Sequence, residues 1–272
     1  MVLNDKINIG MVNFINTAPL YEVWKERAAA APHEDWQVIE GPPSRLNRML
    51  YNGELDLGFI SSHEYALHPD KYRILDGLSI SAQGEVGSVF LFSELPIAAL
   101  DGQTVALSPQ SQTSNALIRI ILEDYYHIRP HYVESGEAPA RLAIGDRALR
   151  LKAENRFPLV LDLSQEWQRH SGLPFVFAIW AVREECWKNR GAEVRAIQRE
   201  LLTCVEIGRR RLKEISAGVA ERIPMPPAAC HEYLRRIEFD LSPAKVQGLS
   251  RFYQKLIDRR EVSPRALPLK IL

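Results

Sequence analysis

The sequence predicts a two-lobed α/β protein, and three features of the chain carry that prediction. Short apolar runs alternate with helical periodicity over about the first ninety residues, a rhythm typical of a parallel α/β layer. The same rhythm restarts at Thr104, and two long apolar segments, 87–93 and 174–182, bracket the middle of the chain. We therefore predict a discontinuous first lobe, 1–92 plus 179–272, and an inserted second lobe, 93–178. A ligand cleft is expected between them, with a hinge at the two crossover strands.

The individual elements follow from apolar runs, helical spacing and capping residues. The predicted strands are 7–12, 36–41, 55–60, 87–93, 104–107, 132–134, 141–144, 159–163 and 174–182. The predicted helices are 19–30, one that Ser44 caps, a short one after Ser61 and Ser62, 113–126, 193–215, 228–237, and 243–259 with Ser242 as its cap.

Composition narrows the class of protein. The 272 residues contain 34 Lys plus Arg and 34 Asp plus Glu, so the formal net charge is zero. That balance argues against nucleic acid or an anionic membrane surface as the partner. The three cysteines include no CxxC pair, which disfavours a disulfide framework or a cysteine zinc site. No signal-like or membrane-spanning apolar stretch is present, so we expect a cytoplasmic protein.

Small hydroxyl and amide side chains recur in the loops between strands and helices. Helix N-termini present free N–H groups to anions there, although any one such residue could simply cap its helix. Because several loops carry more hydroxyls than a cap requires, the set favours an anion-binding cleft. Asp146 ends a predicted strand and could either face the cleft or cap the next helix. The candidate residues in these loops are Asn16, Thr17, Ser44, Ser61, Ser62, Ser111, Thr113 and Ser114.

Recognisable catalytic motifs are missing from the sequence. It contains no GxSxG elbow, no HExxH and no phosphate-binding GxxxxGK[ST] loop. His63 and His68 flank Glu64, but a metal site would need a third ligand, so we interpret them as surface or supporting histidines. A polar cleft without an obvious base or nucleophile, taken alone, fits a binding protein better than an enzyme.

The order and spacing of short motifs resemble those of the chorismate dehydratase family, which opens the futalosine route to menaquinone. The motifs are 16–20 (NTAPL), 43–46 (PSRL), 53–56 (GELD), 60–65 (ISSHEY), 84–88 (GEVGS), 111–114 (SQTS), 145–146 (GD) and 172–178 (GLPFVFA). The resemblance implies a periplasmic-binding-protein type II fold. It also implies dehydration of the small dicarboxylate chorismate to 3-[(1-carboxyvinyl)oxy]benzoate without a metal or organic cofactor.

The resemblance also implies roles for particular residues. Asn16 and Ser88 match the polar residues nearest the reacting ring and are the expected catalytic pair, orienting the leaving hydroxyl. Family members often carry an acidic residue near Ser108 and a basic one near Gln112, so this chain would rely more on helix dipoles. The substrate's own enolpyruvyl carboxylate could take the ring C3 proton. The expected substrate-binding residues are Thr17, Ser44, Ser61, Ser62, Ser111, Thr113, Ser114 and Asp146.

Two other functions remain open at the level of sequence. One is a cytosolic small-anion-binding or sensor protein with this fold and no catalysis. The other is the sister enzyme of the same pathway, 1,4-dihydroxy-6-naphthoate synthase, which shares the fold and usually relies on a histidine in the cleft. The oligomeric state is also left open.

Overall fold

The structure is a computed structural model that describes residues 6–134, 136–223 and 225–272. Its strands are β1 (Ile7–Met11), β2 (Trp36–Glu40), β3 (Leu57–Ser61), β4 (Tyr72–Ala82), β5 (Val89–Ser93), β6 (Thr104–Ala106), β7 (His131–Val133), β8 (Ala140–Ile144), β9 (Leu159–Asp162) and β10 (Phe175–Arg183). Its helices are α1 (Ala18–Ala30), α2 (Pro43–Asn52), α3 (Ser62–Leu67), α4 (Gln112–Arg119), α5 (Gly145–Glu154), α6 (Leu163–Ser171), α7 (Glu184–Arg210), α8 (Leu212–Val219), α9 (Pro227–Arg236) and α10 (Pro243–Asp258).

The strands form two five-stranded sheets, in the orders β2-β1-β3-β10-β4 and β7-β6-β8-β5-β9. In the first sheet β1 pairs in parallel with β2 and β3, whereas β10 runs antiparallel to β3 and β4. In the second sheet β6 pairs in parallel with β7 and β8, and β5 runs antiparallel to β8 and β9. The predicted two-lobed α/β class is therefore confirmed, with sheets that are mixed and not wholly parallel.

The chain passes between the sheets at two short segments, 83–88 and 172–174. β5 pairs only with strands of the second sheet, and β10 pairs only with strands of the first. The predicted lobe boundaries, at 92/93 and 178/179, thus fall inside strands and not between them. Three further differences concern local structure. β4 was not among the predicted strands. α4 continues as a π-helical turn over Ile120–Tyr125, and α7 begins nine residues earlier than the predicted helix start at 193.

Ser44 is not the cap of its helix, so that prediction was wrong. Pro42 occupies the N-cap position with extended backbone, and Pro43 begins α2. Proline is well suited to the first helical position because its fixed φ is helical and the N–H it lacks would be unpaired there. Ser242 does occupy the N-cap position of α10, but its side chain makes no capping hydrogen bond.

The helices after β10 pack against the first sheet through close backbone contacts. A Cβ atom added at Gly208 of α7 would lie 1.7 Å from the carbonyl oxygen of Pro19 in α1. One added at Gly248 of α10 would lie 2.2 Å from the carbonyl oxygen of Pro174, in the second crossover segment. Only glycine permits approaches this close. None of the helices in the described ranges is long and apolar enough to cross a membrane.

Candidate functional site

A cleft between the two sheets contains the polar loops singled out in the sequence. It encloses about 670 Å³ of space not filled by atoms, part of it open to solvent. Its walls are mostly apolar, which suits a ring or another flat apolar body. The lining residues are Val12, Phe14, Asn16, Pro43, Phe59, Ile60, Ser61, Ile80, Val86, Ser88, Val89, Ser111, Ser114, Ile144, Gly145, Phe177 and Ala178.

Asn16 enters the cleft from the loop between β1 and α1. It lies in a 3-10 turn, Ile15–Thr17, and its side-chain oxygen is buried without a hydrogen-bond partner among the described residues. Arg222 holds this loop from outside, since its Nη2 donates to the carbonyl oxygen of Asn13 at 2.9 Å and to Asn13 Oδ1 at 3.0 Å. An amide with a free oxygen in a buried wall is well placed to accept a hydrogen bond from a ligand hydroxyl.

Ser88 also lines the cleft; it lies at the end of the first crossover segment and is buried. Its carbonyl oxygen accepts a hydrogen bond from Gly145 N–H at 2.8 Å, which ties the segment to the start of α5. The residue before it, Gly87, has φ of +75°, a conformation that favours glycine. The backbone of Ser88 is therefore bound to the start of α5 in the second lobe, and Ser88 lines the cleft.

Asp162, the last residue of β9, fixes this crossover segment. Its Oδ2 accepts from Gly87 N–H at 2.8 Å, and its Oδ1 accepts from Val86 N–H at 3.3 Å. The same Oδ1 caps α6 through Ser164 N–H at 3.0 Å and Gln165 N–H at 3.1 Å. Burial raises the pKa of the Asp162 carboxyl above its usual range, and the four N–H groups act in the opposite direction. One buried carboxylate thus sets the backbone that precedes Ser88.

Ser61 and Ser114 each keep a hydroxyl hydrogen for a ligand. Ser61 Oγ accepts from Asn47 Nδ2 at 3.0 Å and from Glu64 N–H at 3.2 Å, so both of its lone pairs are used. Ser111 Oγ donates to Ser114 Oγ at 2.9 Å and accepts from Ser114 N–H at 3.1 Å. The O–H groups of Ser61 and Ser114 therefore remain as donors along the cleft, next to the N-termini of α3 and α4.

All residues that line the cleft belong to the described ranges, and none of them carries an ionisable side chain. The positive ends of the α4 and α5 macrodipoles lie at this wall, since Ser111 caps α4 and Gly145 begins α5. Neutral donors and helix N-termini can bind carboxylates without a fixed cation. The cleft thus combines apolar walls with hydroxyl, amide and N–H groups at defined positions.

The other predicted site residues lie around the cleft and not on its wall. Thr17 Oγ1 donates to backbone carbonyl oxygens at 2.7 Å, and Ser62 Oγ donates to the Val176 carbonyl oxygen at 2.7 Å. Thr113 Oγ1 accepts from His63 N–H at 3.0 Å and so joins the two lobes. Asp146 follows the lining residue Gly145, and its Oδ1 is buried without a partner among the described residues.

Ser44 lies at the entrance of the cleft. This entrance shares Pro43, Ser61 and Ser111 with the cleft itself and is completed by Ser44, Asn47, Arg48, Tyr51, Glu64, His68, Pro109, Gln110 and Gln112. Arg48 is exposed and forms no ion pair with any described residue. It is therefore an available positive charge in a cavity that adjoins the cleft.

Neither of the two histidines lines the cleft. His68 lines the entrance, where burial lowers the pKa of its imidazole, and its Nε2 lies 3.8 Å from Glu64 Oε1. His63 lines a separate cavity with Arg119 and Glu261, and burial lowers its pKa too. Within the described ranges, no three His, Cys, Asp or Glu side chains are placed to hold a metal ion.

Sequence reasoning missed two residues that contact the segment just before Ser88. Asp162 falls within the predicted strand 159–163, and Tyr233 falls within the predicted helix 228–237. The pattern DLS at 162–164, an acceptor two residues before a serine at a helix start, is a capping signal that could have identified Asp162 as a cap. No sequence signal connects Tyr233 with residues 87 and 88, because the contact is made only by folding.

The two-lobed fold with a ligand cleft between the lobes is that of the periplasmic binding proteins. The structure matches the periplasmic aliphatic sulphonate binding protein of Escherichia coli with a TM-score of 0.65, covering 96% of this chain and 94% of that one. The sequences are 16% identical, so this likeness concerns the fold alone.

The sequence comparison identifies the family. The family described as menaquinone biosynthesis matches residues 7–258. The chorismate dehydratase of Thermus thermophilus is 30% identical over 269 residues, 91% of this chain and 94% of that protein. The chorismate dehydratase of Campylobacter jejuni is 31% identical over 170 residues, 62% of this chain and 64% of that protein. The chain belongs to this menaquinone biosynthesis family, which confirms the predicted resemblance.

Proposed function

We propose that the protein is a chorismate dehydratase, which eliminates water from chorismate to give 3-[(1-carboxyvinyl)oxy]benzoate for menaquinone biosynthesis. The observation that carries the proposal is the cleft itself, whose apolar walls are interrupted only by uncharged donors and acceptors. Such a cleft suits a ring that bears two carboxylates and a hydroxyl. Family membership and the two chorismate dehydratase relatives support the same assignment.

Binding precedes the chemistry and uses the donors of the second lobe and of β3. The O–H groups of Ser61 and Ser114, with the N–H groups at the start of α4, offer hydrogen bonds to carboxylate oxygens. The apolar side chains Phe59 and Phe177 cover the ring. Held in this way, the substrate loses little additional entropy on reaching the geometry for elimination.

The reaction removes the ring C3 proton and the C4 hydroxyl. The electrons of the C3–H bond form the new ring double bond, the C4–O bond breaks, and the hydroxyl leaves as water with one added proton. We assign Asn16 and Ser88, which both line the cleft, to orient and hydrogen-bond the leaving hydroxyl. Since no ionisable side chain lines the described cleft, the substrate's enolpyruvyl carboxylate serves as the base.

The sister enzyme and a non-catalytic binding protein are less well supported. The first usually relies on a histidine in the cleft, and neither His63 nor His68 lines this one. The buried, unpartnered amide oxygen of Asn16 and the buried Ser88 are compatible with catalysis, and they do not by themselves separate an enzyme from a binding protein. A binding site fully matched to its ligand's ground state would equally accept both groups, so activity is the deciding measurement.

The test is to incubate the protein with chorismate, with and without EDTA, and to identify the products by chromatography and mass spectrometry. We expect carboxyvinyloxybenzoate in both cases. Ser88→Ala and Asn16→Ala should each lower kcat by about a hundredfold or more, as the removal of one preorganised donor does in other enzymes. Ser250→Ala on α10 and the exposed Asn52→Ala on α2 are the matched controls and should leave kcat unchanged.

The outcomes separate the candidates. Unchanged chorismate from folded protein would overturn the assignment and favour the sister enzyme or a binding protein. Product formation with undiminished kcat in both cleft variants would keep the activity but refute the roles of Asn16 and Ser88. Loss of activity in a variant of a cleft-adjacent carboxylate, such as Asp146→Asn, with substrate binding intact would refute the substrate carboxylate as the base.

The lobes and the location in the cell complete the proposal. We place the first lobe at 6–82 plus 175–272 and the second at 89–171, with the crossover segments 83–88 and 172–174 as the hinge. The protein works in the cytoplasm on a small dicarboxylate, without nucleic acid or membrane as partner. Cell fractionation with an antibody tests the location, and recovery with membranes would contradict it.

A further inference from the structure

A buried asparagine lies on the face of α2 that packs against β3. Asn47 is 6% exposed, and the buried residues nearest to it in the helix are Leu46 and Leu50. An amide buried on an apolar helix face costs free energy unless it is hydrogen-bonded. The hydrogen-bond partners of Asn47 therefore indicate its role.

Both partners of Asn47 belong to one residue, Ser61, at the end of β3. The Ser61 N–H donates to Asn47 Oδ1 at 3.1 Å, and Asn47 Nδ2 donates to Ser61 Oγ at 3.0 Å. A backbone N–H can only donate, so the first bond fixes which end of the amide is the oxygen. The NH₂ group must then face the serine hydroxyl, and the hydroxyl oxygen must accept from it.

The hydroxyl of Ser61 has a second fixed donor. The N–H of Glu64, in the first turn of α3, donates to Ser61 Oγ at 3.2 Å. Two received bonds occupy both lone pairs of the oxygen, so its single hydrogen has to point elsewhere. Ser61 lines the cleft, and its hydroxyl donates to no residue in the described ranges. At this point of the wall Ser61 can therefore give a hydrogen bond to a ligand but cannot receive one.

We propose that Asn47 is a positioning residue for Ser61: it holds the serine hydroxyl as a pure donor, directed at a carboxylate of the bound substrate. The inference rests on the proposed function, in which Ser61 binds a carboxylate oxygen of chorismate. An ionised carboxylate suits a pure donor because it only accepts hydrogen bonds. Asn47 does not itself line the cleft, so its effect on the substrate passes through Ser61.

The experiment replaces the amide by the acid of the same shape. In Asn47→Asp the Ser61 N–H keeps its acceptor, but the donor that faces Ser61 Oγ becomes an acceptor and takes the serine hydrogen away from the cleft. At slightly alkaline pH, where the new carboxyl is ionised, KM for chorismate should rise about tenfold or more, the effect of one lost hydrogen bond to a charged group. We expect kcat to stay within about twofold, because the carboxylate contact is the same in the ground state and the transition state.

Three control variants separate this effect from the added charge and from unfolding. In a Ser61→Ala background, which should itself raise KM, Asn47→Asp should change KM by less than about threefold, because the two residues act as one unit. Asn52→Asp, exposed at the end of the same helix, should leave KM and kcat unchanged. Asn47→Ala adds no charge and should raise KM about two- to tenfold, since the serine hydroxyl can then rotate. Thermal unfolding is measured for every variant, and if Asn47→Asp does not fold, the same comparison uses Asn47→Ala.

The possible failures are distinguishable. An active protein whose folded Asn47 variants keep the KM of the unaltered protein refutes the positioning role and leaves the proposed function standing. If the full rise in KM also occurs in the Ser61→Ala background, the effect comes from charge or packing, and the positioning role is again refuted. A folded, unaltered protein that does not convert chorismate overturns the function and this inference together.

Discussion

The replacement Asp162→Asn tests how the first crossover segment is held. The carboxylate accepts four backbone hydrogen bonds, three at Oδ1 and the one from Gly87 N–H at Oδ2. Asparagine has a single acceptor oxygen, so if this oxygen keeps the three bonds of Oδ1, its NH₂ group faces the Gly87 N–H. One hydrogen bond is then lost, and two buried donors oppose each other.

The expected cost follows from these contacts. A hydrogen bond to a charged acceptor contributes about 1.5–3 kcal/mol, and a buried donor left unsatisfied costs about 1–3 kcal/mol. The two effects overlap, so we expect the free energy of unfolding to fall by about 2–4 kcal/mol. Ser88 follows Gly87 directly, and kcat for chorismate should therefore fall as well, even at a temperature where the variant remains folded.

Urea unfolding, with chorismate turnover measured on the same preparation, checks this prediction. Asp101→Asn is the matched control, because Asp101 Oδ1 accepts one exposed hydrogen bond, from Arg129 N–H at 2.8 Å. It should cost less than about 1 kcal/mol and leave kcat unchanged. A loss of less than about 0.5 kcal/mol in Asp162→Asn, below the cost of one typical hydrogen bond, would refute the argument that this carboxylate holds the segment.

Three further predictions use other parts of the structure. Gly248→Ala should lower the free energy of unfolding by about 3 kcal/mol or more, because its methyl group would displace α10 from the Pro174 carbonyl. Gly218→Ala is the control: no atom lies within 4 Å of the added carbon, so this variant should be neutral or stabilising. Thermal unfolding measures both. Arg48→Gln should raise KM for chorismate about two- to fivefold and leave kcat unchanged, with a larger effect at low salt than at high salt. If the variant and the unaltered protein had the same KM at all salt concentrations, Arg48 would have no role in attracting the anion. The hydrogen-bonded Arg73 guanidinium lowers the pKa of the Glu184 carboxyl in the folded protein. The contribution of this ion pair to the free energy of unfolding is therefore fully present above the ordinary glutamate pKa of 4.5. It is lost as the pH falls through the lower pKa that Glu184 has in the folded protein. Glu184→Gln should therefore reduce the acid-induced loss of stability by up to about 1 kcal/mol in urea titrations, and identical pH profiles would disprove the effect.

The sequence by itself determined the features that depend on local chemistry. Alternating apolar runs predict β1 and β3 to within one or two residues of their observed bounds, and the hydroxyl-rich loops containing Ser61 and Ser111 are recognisable from the sequence. Local signals suffice here because a buried strand needs an apolar run and a helix start needs a side-chain acceptor. The order of the motifs also identified the family, since spacing along a chain is a property of the sequence alone.

Tertiary structure alone decided which of these groups meet and which are free to bind. Ser62 has the same hydroxyl as Ser61, but its hydrogen is donated to the carbonyl oxygen of Val176, which only folding brings near. Asp162 and Tyr233 reach Gly87, the residue before Ser88, in the same way, through contacts across 75 and 146 residues of chain. The sequence specifies which hydrogen-bonding groups exist, but their partners are set by packing between distant segments, and packing determines which groups remain available in the cleft.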